Sequence, residues 1–250
     1  MNEVTFIIPS IGRSTLQNSI DSILNQTNEN WKIIIIFDGI EPTIVTTNKK
    51  IFILKSNKKG VLKNQAGNVR NFGMEFVKTR WIAFLDDDDV IANNYVETFN
   101  SELDKFPATD VIIFRMYRII QGDVLPPLNT DNFYQDNVGI SFALKTKIFK
   151  KGLKFSPSSI EDFNYLDVLR KNNYVIMISP YIRYFVNSNG AQDINKFVNN
   201  NVTGNRVLLN PDFQKNYNLH YIINKEKPFY FIMYILFICV IIFTIAYFLH

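Results

Sequence analysis

One stretch limits the folds open to this chain more than any other: Trp81-Ile82-Ala83-Phe84-Leu85, followed at once by Asp86-Asp87-Asp88-Asp89. Five mostly apolar residues suit a buried strand, and four carboxylates arrive where that strand should leave its sheet. So close together, these carboxylates repel one another unless a cation lies among them. In an open α/β sheet, ligands bind beyond the carboxyl ends of the strands, so the acidic tip falls where a cofactor is expected. Hard divalent cations such as Mg²⁺ take oxygen ligands, keep several waters and bridge one or two carboxylates to substrate phosphates. A metal-diphosphate site is therefore the first expectation. The competing reading is a solvated acidic turn, and the shortness of the run and its abutment to an apolar strand count against it.

The flanking chain alternates strands and helices. Val4 to Pro9 is a short apolar run stopped by proline, which suits a central first strand. Ser14-Thr15-Leu16-Gln17 matches a capping box, and Leu16, Ile20, Ile23 and Leu24 share one helical face. Lys32 to Asp38 has the unbroken apolar run of a strand buried on both faces, and it ends in a carboxylate. Ile51 to Leu54 predicts a third strand, and Ala66, Val69, Gly73, Phe76 and Val77 recur at helical spacing between about Lys63 and Lys78. That alternation implies a doubly wound, mostly parallel sheet flanked by helices. Asp38, Arg70 with Asn71, and the aspartate cluster can then converge on one edge.

Beyond the cluster, Val96, Phe99, Leu103 and Phe106 mark a helix, and Asp110 to Ile120 a strand. Gln121 to Asn137, with Pro126-Pro127, reads as a loop, either a lid or acceptor-binding segment or an ordinary surface excursion. Val138 to Leu144 suits a further strand. Phe163, Leu166 and Leu169 are spaced for a helix whose first turn holds Glu161 and Asp162, where carboxylates also favour the helix dipole. Tyr174 to Ile178 and Tyr181 to Val186 suit two closing strands, and residues 188–228 a polar tail.

From Phe229 to Leu249 no residue is charged, about the ~20 residues needed to span a bilayer. Lys225 and Lys227 precede this run and only His250 follows it, so the positive-inside rule predicts a single-pass C-terminal anchor, residues 229–249, with the body in the cytosol. Met1 to Pro9 has no basic n-region or long apolar stretch, so no secretory signal is expected. A net charge of +4 is too weak to argue for nucleic acid, and one cysteine, Cys239, excludes an intrachain disulfide. With only His220 and His250, a histidine-based triad is not expected.

Taken in order, these residues resemble the family 2 glycosyltransferases of the GT-A fold over roughly residues 3 to 187. Thr5 to Arg13 is similar to the family's opening strand and loop, and Ser22-Ile23-Leu24-Asn25-Gln26-Thr27 to its first-helix ending. Asp38-Gly39 is similar to the end of its second strand, Arg70-Asn71-Phe72-Gly73 with Trp81 to Asp88 to its Arg-Asn-x-Gly helix and DxD strand, and Glu161-Asp162 to the acidic pair before its final helix. The resemblance implies a Rossmann-like GT-A domain over 1–187, with a nucleotide-sugar half (1–90) and an acceptor half (91–187). It implies that Pro9, Ser10, Arg13, Asp38, Arg70, Asn71 and Asp86 bind the nucleotide sugar, with Asp38 on the base. Asp86 and Asp88 would hold Mn²⁺ or Mg²⁺, Asp162 would be the catalytic base, and Glu161 its orienting partner. Ile11 stands where the family often has a base-stacking aromatic residue, and Phe37 where it often has a second carboxylate, so uridine and guanosine donors both stay open.

The activity this implies is metal-dependent, inverting transfer of a sugar from a UDP- or GDP-type donor to a glycan, lipid or protein hydroxyl at the cytosolic face of a membrane. Two other readings compete. One is an anchored nucleotide-sugar-binding protein without turnover. The other is a nucleotidyltransferase, which calls for a Gly-rich, lysine-containing N-terminal loop where this chain has only Gly12-Arg13.

Overall fold

The computed structural model describes residues 2–60 and 66–186, and the backbone of 202–203 and 206–207. Its first half is the expected alternation: β1 (Val4–Ser10), α1 (Leu16–Leu24), β2 (Trp31–Asp38), β3 (Ile51–Ser56), α2 (Ala66–Met74) and β4 (Trp81–Phe84). The second half comprises β5 (Val90–Ile91), α3 (Tyr95–Lys105), β6 (Val111–Arg118), β7 (Asp123–Leu125), β8 (Phe142–Lys145), α4 (Thr146–Lys150), α5 (Glu161–Lys171) and β9 (Ile176–Val186). A separate antiparallel pair, β10 (Val202–Thr203) and β11 (Arg206–Val207), lies within the stretch expected as a polar tail.

The strands form one sheet in the order β3-β2-β1-β4-β8-β6-β9-β5, with β7 on β6. β3, β2, β1 and β4 are mutually parallel, which brings their carboxyl ends to one edge. Their side chains show why: Phe6, Ile7, Ile8, Ile33, Ile35, Ile36, Ile82 and Ala83 are fully buried, as a sheet covered on both faces requires. The expectation of a mostly parallel sheet holds only for this half. β8 runs antiparallel to both β4 and β6, β5 antiparallel to β9, and β7 antiparallel to β6, so the sheet as a whole is mixed.

Local differences have local causes. The capping box is not made: α1 starts after Thr15 without a side-chain cap, because the Thr15 hydroxyl donates instead to the Asp87 carbonyl, 2.8 Å away. α2 ends at Met74, and Phe76 is 46% exposed rather than on its buried face. The two expected closing strands are one strand, β9, whose Ser179-Pro180-Tyr181 stretch is absorbed as an irregularity opposite Ile113 and Arg115 of β6. β5, β7 and α4 were not foreseen, being too short to show a period, and β7 falls within the stretch from Gln121 to Asn137 read as a loop. Among the described residues no helix is long and apolar enough to cross a membrane, and the expected anchor at 229–249 lies outside them.

Candidate active site

The acidic run leaves β4 as a loop whose backbone is held by hydroxyls from α1. Ser19 donates to the carbonyls of Asp86 (3.2 Å) and Asp89 (2.7 Å), beside the Thr15 bond to Asp87. From the far side, the Tyr184 hydroxyl of β9 accepts the Asp86 N–H at 3.2 Å and donates to the Asp89 carboxylate at 2.8 Å. The four carboxylates therefore part company. Asp87 turns inward, buried, accepting from Ser10 (2.7 Å) and from Arg13 (2.5 Å), and Asp89 turns toward Tyr184. Asp86 and Asp88 keep 32% and 20% of their side chains exposed.

Arg70 is the hub of the site. It lies on α2, almost completely buried, and its guanidinium donates to Asp86 at 2.6 Å and Glu161 at 2.7 Å, with Asp162 3.5 Å away. Burial alone would lower its pKa, but Asp86, Asp162 and Glu161 together raise it, so Arg70 stays charged. Glu161 opens α5 and also accepts the Gly67 N–H at 2.8 Å, tying the first turns of α2 and α5 together. Only glycine fits at 67: an added Cβ would lie 2.6 Å from Glu161 Oε2 and 2.8 Å from Phe155 Cβ. Burial raises the Glu161 pKa against the pull of Arg70. At Asp162 burial dominates, Asp86 and Glu161 add to it, Arg70 opposes it, and the carboxyl is pushed up to about 7. A carboxylate there can take a proton near neutral pH.

Other residues named from the sequence lie around this centre with structural partners. Asn71 makes a reciprocal pair with the Phe155 backbone, its amide donating to the carbonyl (2.9 Å) and its oxygen accepting the N–H (3.0 Å), which anchors the chain leading to Glu161. Asp38, at the end of β2, accepts the Ser56 hydroxyl and the N–H groups of Lys59 (2.6 Å) and Gly60 (2.9 Å), so its carboxylate orders the turn after β3. Pro9 is partly buried in β1 opposite Ile36, one residue before the Ser10–Asp87 contact. The structure sorts these residues into two bonded groups, Ser10 and Arg13 with Asp87 and Asp88, and Arg70 with Asp86, Glu161 and Asp162, which meet at the 86–88 backbone, while Asp38 and Asn71 each hold the backbone of another segment.

Among the described residues no group of three or more His, Cys, Asp or Glu side chains forms a metal cage. Asp86 and Asp88 instead offer two exposed oxygen ligands, the number a Mg²⁺ or Mn²⁺ ion needs when water and a diphosphate complete its shell. The Asp88 carboxyl is pushed up first by burial and then by Asp86, with Arg13 only partly offsetting them, and a cation held between the two carboxylates would relieve that repulsion. The residues fit such an ion.

Sequence reasoning did not single out Thr15, Ser19, Gly67 or Tyr184. Tyr184 lies 98 positions from the backbone N–H it accepts, and no periodicity or spacing reports such a pairing. Gly67 carried the one usable signal, a glycine inside a helical pattern, which marks a close approach.

Comparison with known proteins bears on this geometry. The family described as Glycosyl transferase family 2 matches residues 5–160. An uncharacterised glycosyltransferase of Rickettsia bellii is 38% identical over 38% of this chain and 14% of its own length. Glycosyltransferase GlyA of Streptococcus pneumoniae is 25% identical over 78% of this chain and 31% of its own. The poly(ribitol-phosphate) beta-N-acetylglucosaminyltransferase TarP of Staphylococcus aureus is 27% identical over 91% of this chain and 76% of its own. This chain thus spans well under half of the first two relatives. Among solved structures, residues 1–349 of S. aureus TarS in complex with UDP-GlcNAc superpose with a TM-score of 0.59 at 14% identity, over 77% of this chain and 60% of that one, which establishes the shared fold. With the family match running from β1 to the residue before α5, a span that includes Arg70 and Asp86 to Asp89, this chain belongs to glycosyl transferase family 2.

Proposed function

We propose that the domain is a metal-dependent, inverting glycosyltransferase that moves a sugar from a nucleotide diphosphate sugar, of UDP type, to an acceptor hydroxyl. The observation that carries this reading is Arg70, one buried cation joined at once to Asp86 on the donor side and to Glu161 and Asp162 on the opposite side. The UDP-GlcNAc complex of TarS supports a uridine donor over the guanosine alternative.

Each residue then has a task. Arg13, beside Asp87 and Asp88, supplies positive charge at the edge where the diphosphate lies. A divalent ion on Asp86 and Asp88 would supply Lewis-acid stabilisation of the leaving diphosphate. Asp162 accepts the proton of the acceptor hydroxyl as its oxygen bonds to the anomeric carbon and the bond from that carbon to the diphosphate breaks. Attack from the face opposite the leaving group inverts the anomeric configuration. Glu161 holds Arg70, and Arg70 holds Asp162 in place. The uncharged run 229–249 supports a site working at the cytosolic face of a membrane, on a glycan, lipid or protein hydroxyl.

The test is donor turnover by the full chain across UDP- and GDP-sugars, with Mn²⁺, Mg²⁺ or chelator. Release of UDP only with metal is expected, abolished in Asp88→Ala and slowed on the order of 100-fold or more in Asp162→Asn. Donor binding with no turnover under any condition would favour the non-catalytic binding protein. Turnover unaffected by chelator would remove the metal.

A further inference from the structure

The segment 126–139 has no helix or strand, yet it is fastened more firmly than a surface excursion needs. Arg115 of β6, buried to 3% exposure, donates from beneath to the carbonyls of Pro126 (2.7 Å), Pro127 and Thr130 (2.9 Å). Burial lowers the pKa of this guanidinium, and the nearest carboxylate, Asp131, is 3.8 Å away and 67% exposed. Placing a charge there is costly, and what it secures is the path of a loop.

Further along, buried Phe133 packs against Phe163, the residue after Asp162, with ring centroids 6.4 Å apart. The Phe133 carbonyl accepts Arg170 of α5 at 3.3 Å. Gly139 closes the segment so near the candidate base that an added Cβ would lie 4.0 Å from Asp162 Oδ2. Both ends of the turn 133–139 therefore sit against the first turns of α5. Between them Tyr134 is held on two sides: its N–H donates to the Asn137 side chain at 2.7 Å, and its carbonyl accepts the Asn137 N–H at 3.2 Å. Asp136 takes the left-handed conformation (φ 71°) that this turn requires. The result is a rigid backbone presenting a phenol ring that is 56% exposed, with Asn132, Gln135 and Asp136 exposed beside it.

An aromatic face flanked by amide and carboxylate groups suits a sugar ring, whose C–H face stacks on the ring while its hydroxyls take hydrogen bonds. Charge narrows the choice. Residues 126–139 hold two aspartates and no lysine, arginine or histidine. Among the described residues, Arg115 lies buried beneath the segment and Arg170, paired with Asp167, donates to its Phe133 carbonyl. A phosphate-bearing acceptor would meet like charge here and in Asp162.

We propose that the 126–139 strap is the acceptor wall of the site, and that Tyr134 on it is the stacking platform for an uncharged sugar ring, so that the acceptor is a neutral glycan end. This rests on the glycosyltransferase reading above. Arg115 is a positioning residue in this scheme, acting through the strap.

The test is binding to the full chain, with and without UDP and Mn²⁺, of p-nitrophenyl glucoside, galactoside and N-acetylglucosaminide and of a glycerol-phosphate oligomer, followed by ligand-observed saturation-transfer NMR. At least one neutral glycoside is expected to bind, with Tyr134→Ala weakening it about tenfold, Tyr134→Trp retaining it, and UDP affinity the same in all three proteins. The proposal is overturned if no neutral glycoside binds, if Tyr134→Ala binds as well as the parent, or if the phosphate oligomer is preferred. Glycoside binding that depends on Tyr134 in a chain that does not bind UDP would uphold the strap while removing the donor reading. Tyr134 is exposed, so its substitution leaves the core intact, and an unchanged melting temperature checks this.

Discussion

Asp162 is the residue at which electrostatics and chemistry meet. Its carboxyl stands at about 7 against an ordinary 3.8, mainly because it is buried and secondarily because Asp86 and Glu161 crowd it with negative charge. The folded protein thus holds this proton more tightly than the unfolded chain. Its contribution to stability falls as pH rises from 3.8 to about 7 and is level above that. Asp162→Asn should therefore be more stable than the parent at pH 8, on the order of 1–3 kcal/mol, and no different below pH 4, by denaturant titration at the two pH values. For catalysis with Asp162 as the proposed base, the dependence runs the other way, because that base must be ionised. For the parent, kcat/KM should rise about tenfold per pH unit below neutrality and flatten above pH 7. A flat profile across pH 5–8 would remove Asp162 as the base. Glu161 and Asp162 were legible as candidates from chain order alone. Their common partner Arg70 was read as a nucleotide-sugar-binding residue and not as the cation that joins them, because the three carboxylates it contacts lie 16, 91 and 92 positions away from it.

Among the elements, α2 does most to build the site, since Gly67 and Arg70, one turn apart, both bond Glu161, while Arg70 also reaches Asp86 and Asn71 holds the Phe155 backbone. Its closeness to the sheet depends on Gly73, where a Cβ would come within 2.6 Å of Ile36 Cδ1 and 3.2 Å of Ile7 Cγ2. Gly73→Ala, though it raises helix propensity, should destabilise the protein by about 1–3 kcal/mol through overpacking, seen as a lower melting temperature. An unchanged or higher melting temperature would mean that α2 can move outward without cost. Periodicity located α2, α3 and α5, since each presents a recurring apolar face. It located β1, β2, β3, β4 and β6 as well, by their apolar runs. β5, β7 and α4 escaped because two, three and five residues show no period, and β9 was split in two because a proline in its middle reads as a stop.

In the whole domain, a parallel half supplies a row of strand ends and a mixed half brings α5 up against it. Tyr184 joins the two directly, since a β9 hydroxyl holds both Asp86 and Asp89. The aromatic chain Phe84–Phe142 (5.2 Å), Phe84–Phe155 (5.3 Å) and Phe155–Tyr165 (4.3 Å) packs beneath the same junction. The proposed anchor belongs to the whole chain too. Deleting residues 229–249 should move the protein from the membrane to the soluble fraction of a lysate, and unchanged membrane association would remove the anchor. The chain's own order of residues was enough to specify most of the strands and helices and the acidic strand end, because apolar periodicity and clustered charge are local properties. Which of the four aspartates face solvent, which arginine joins Asp86 to Glu161 and Asp162, and how a strap without regular structure comes to lie beside Asp162 were decided by folding. Those outcomes depend on partners many positions apart in the chain, and on burial that exists only once the sheet has closed over them.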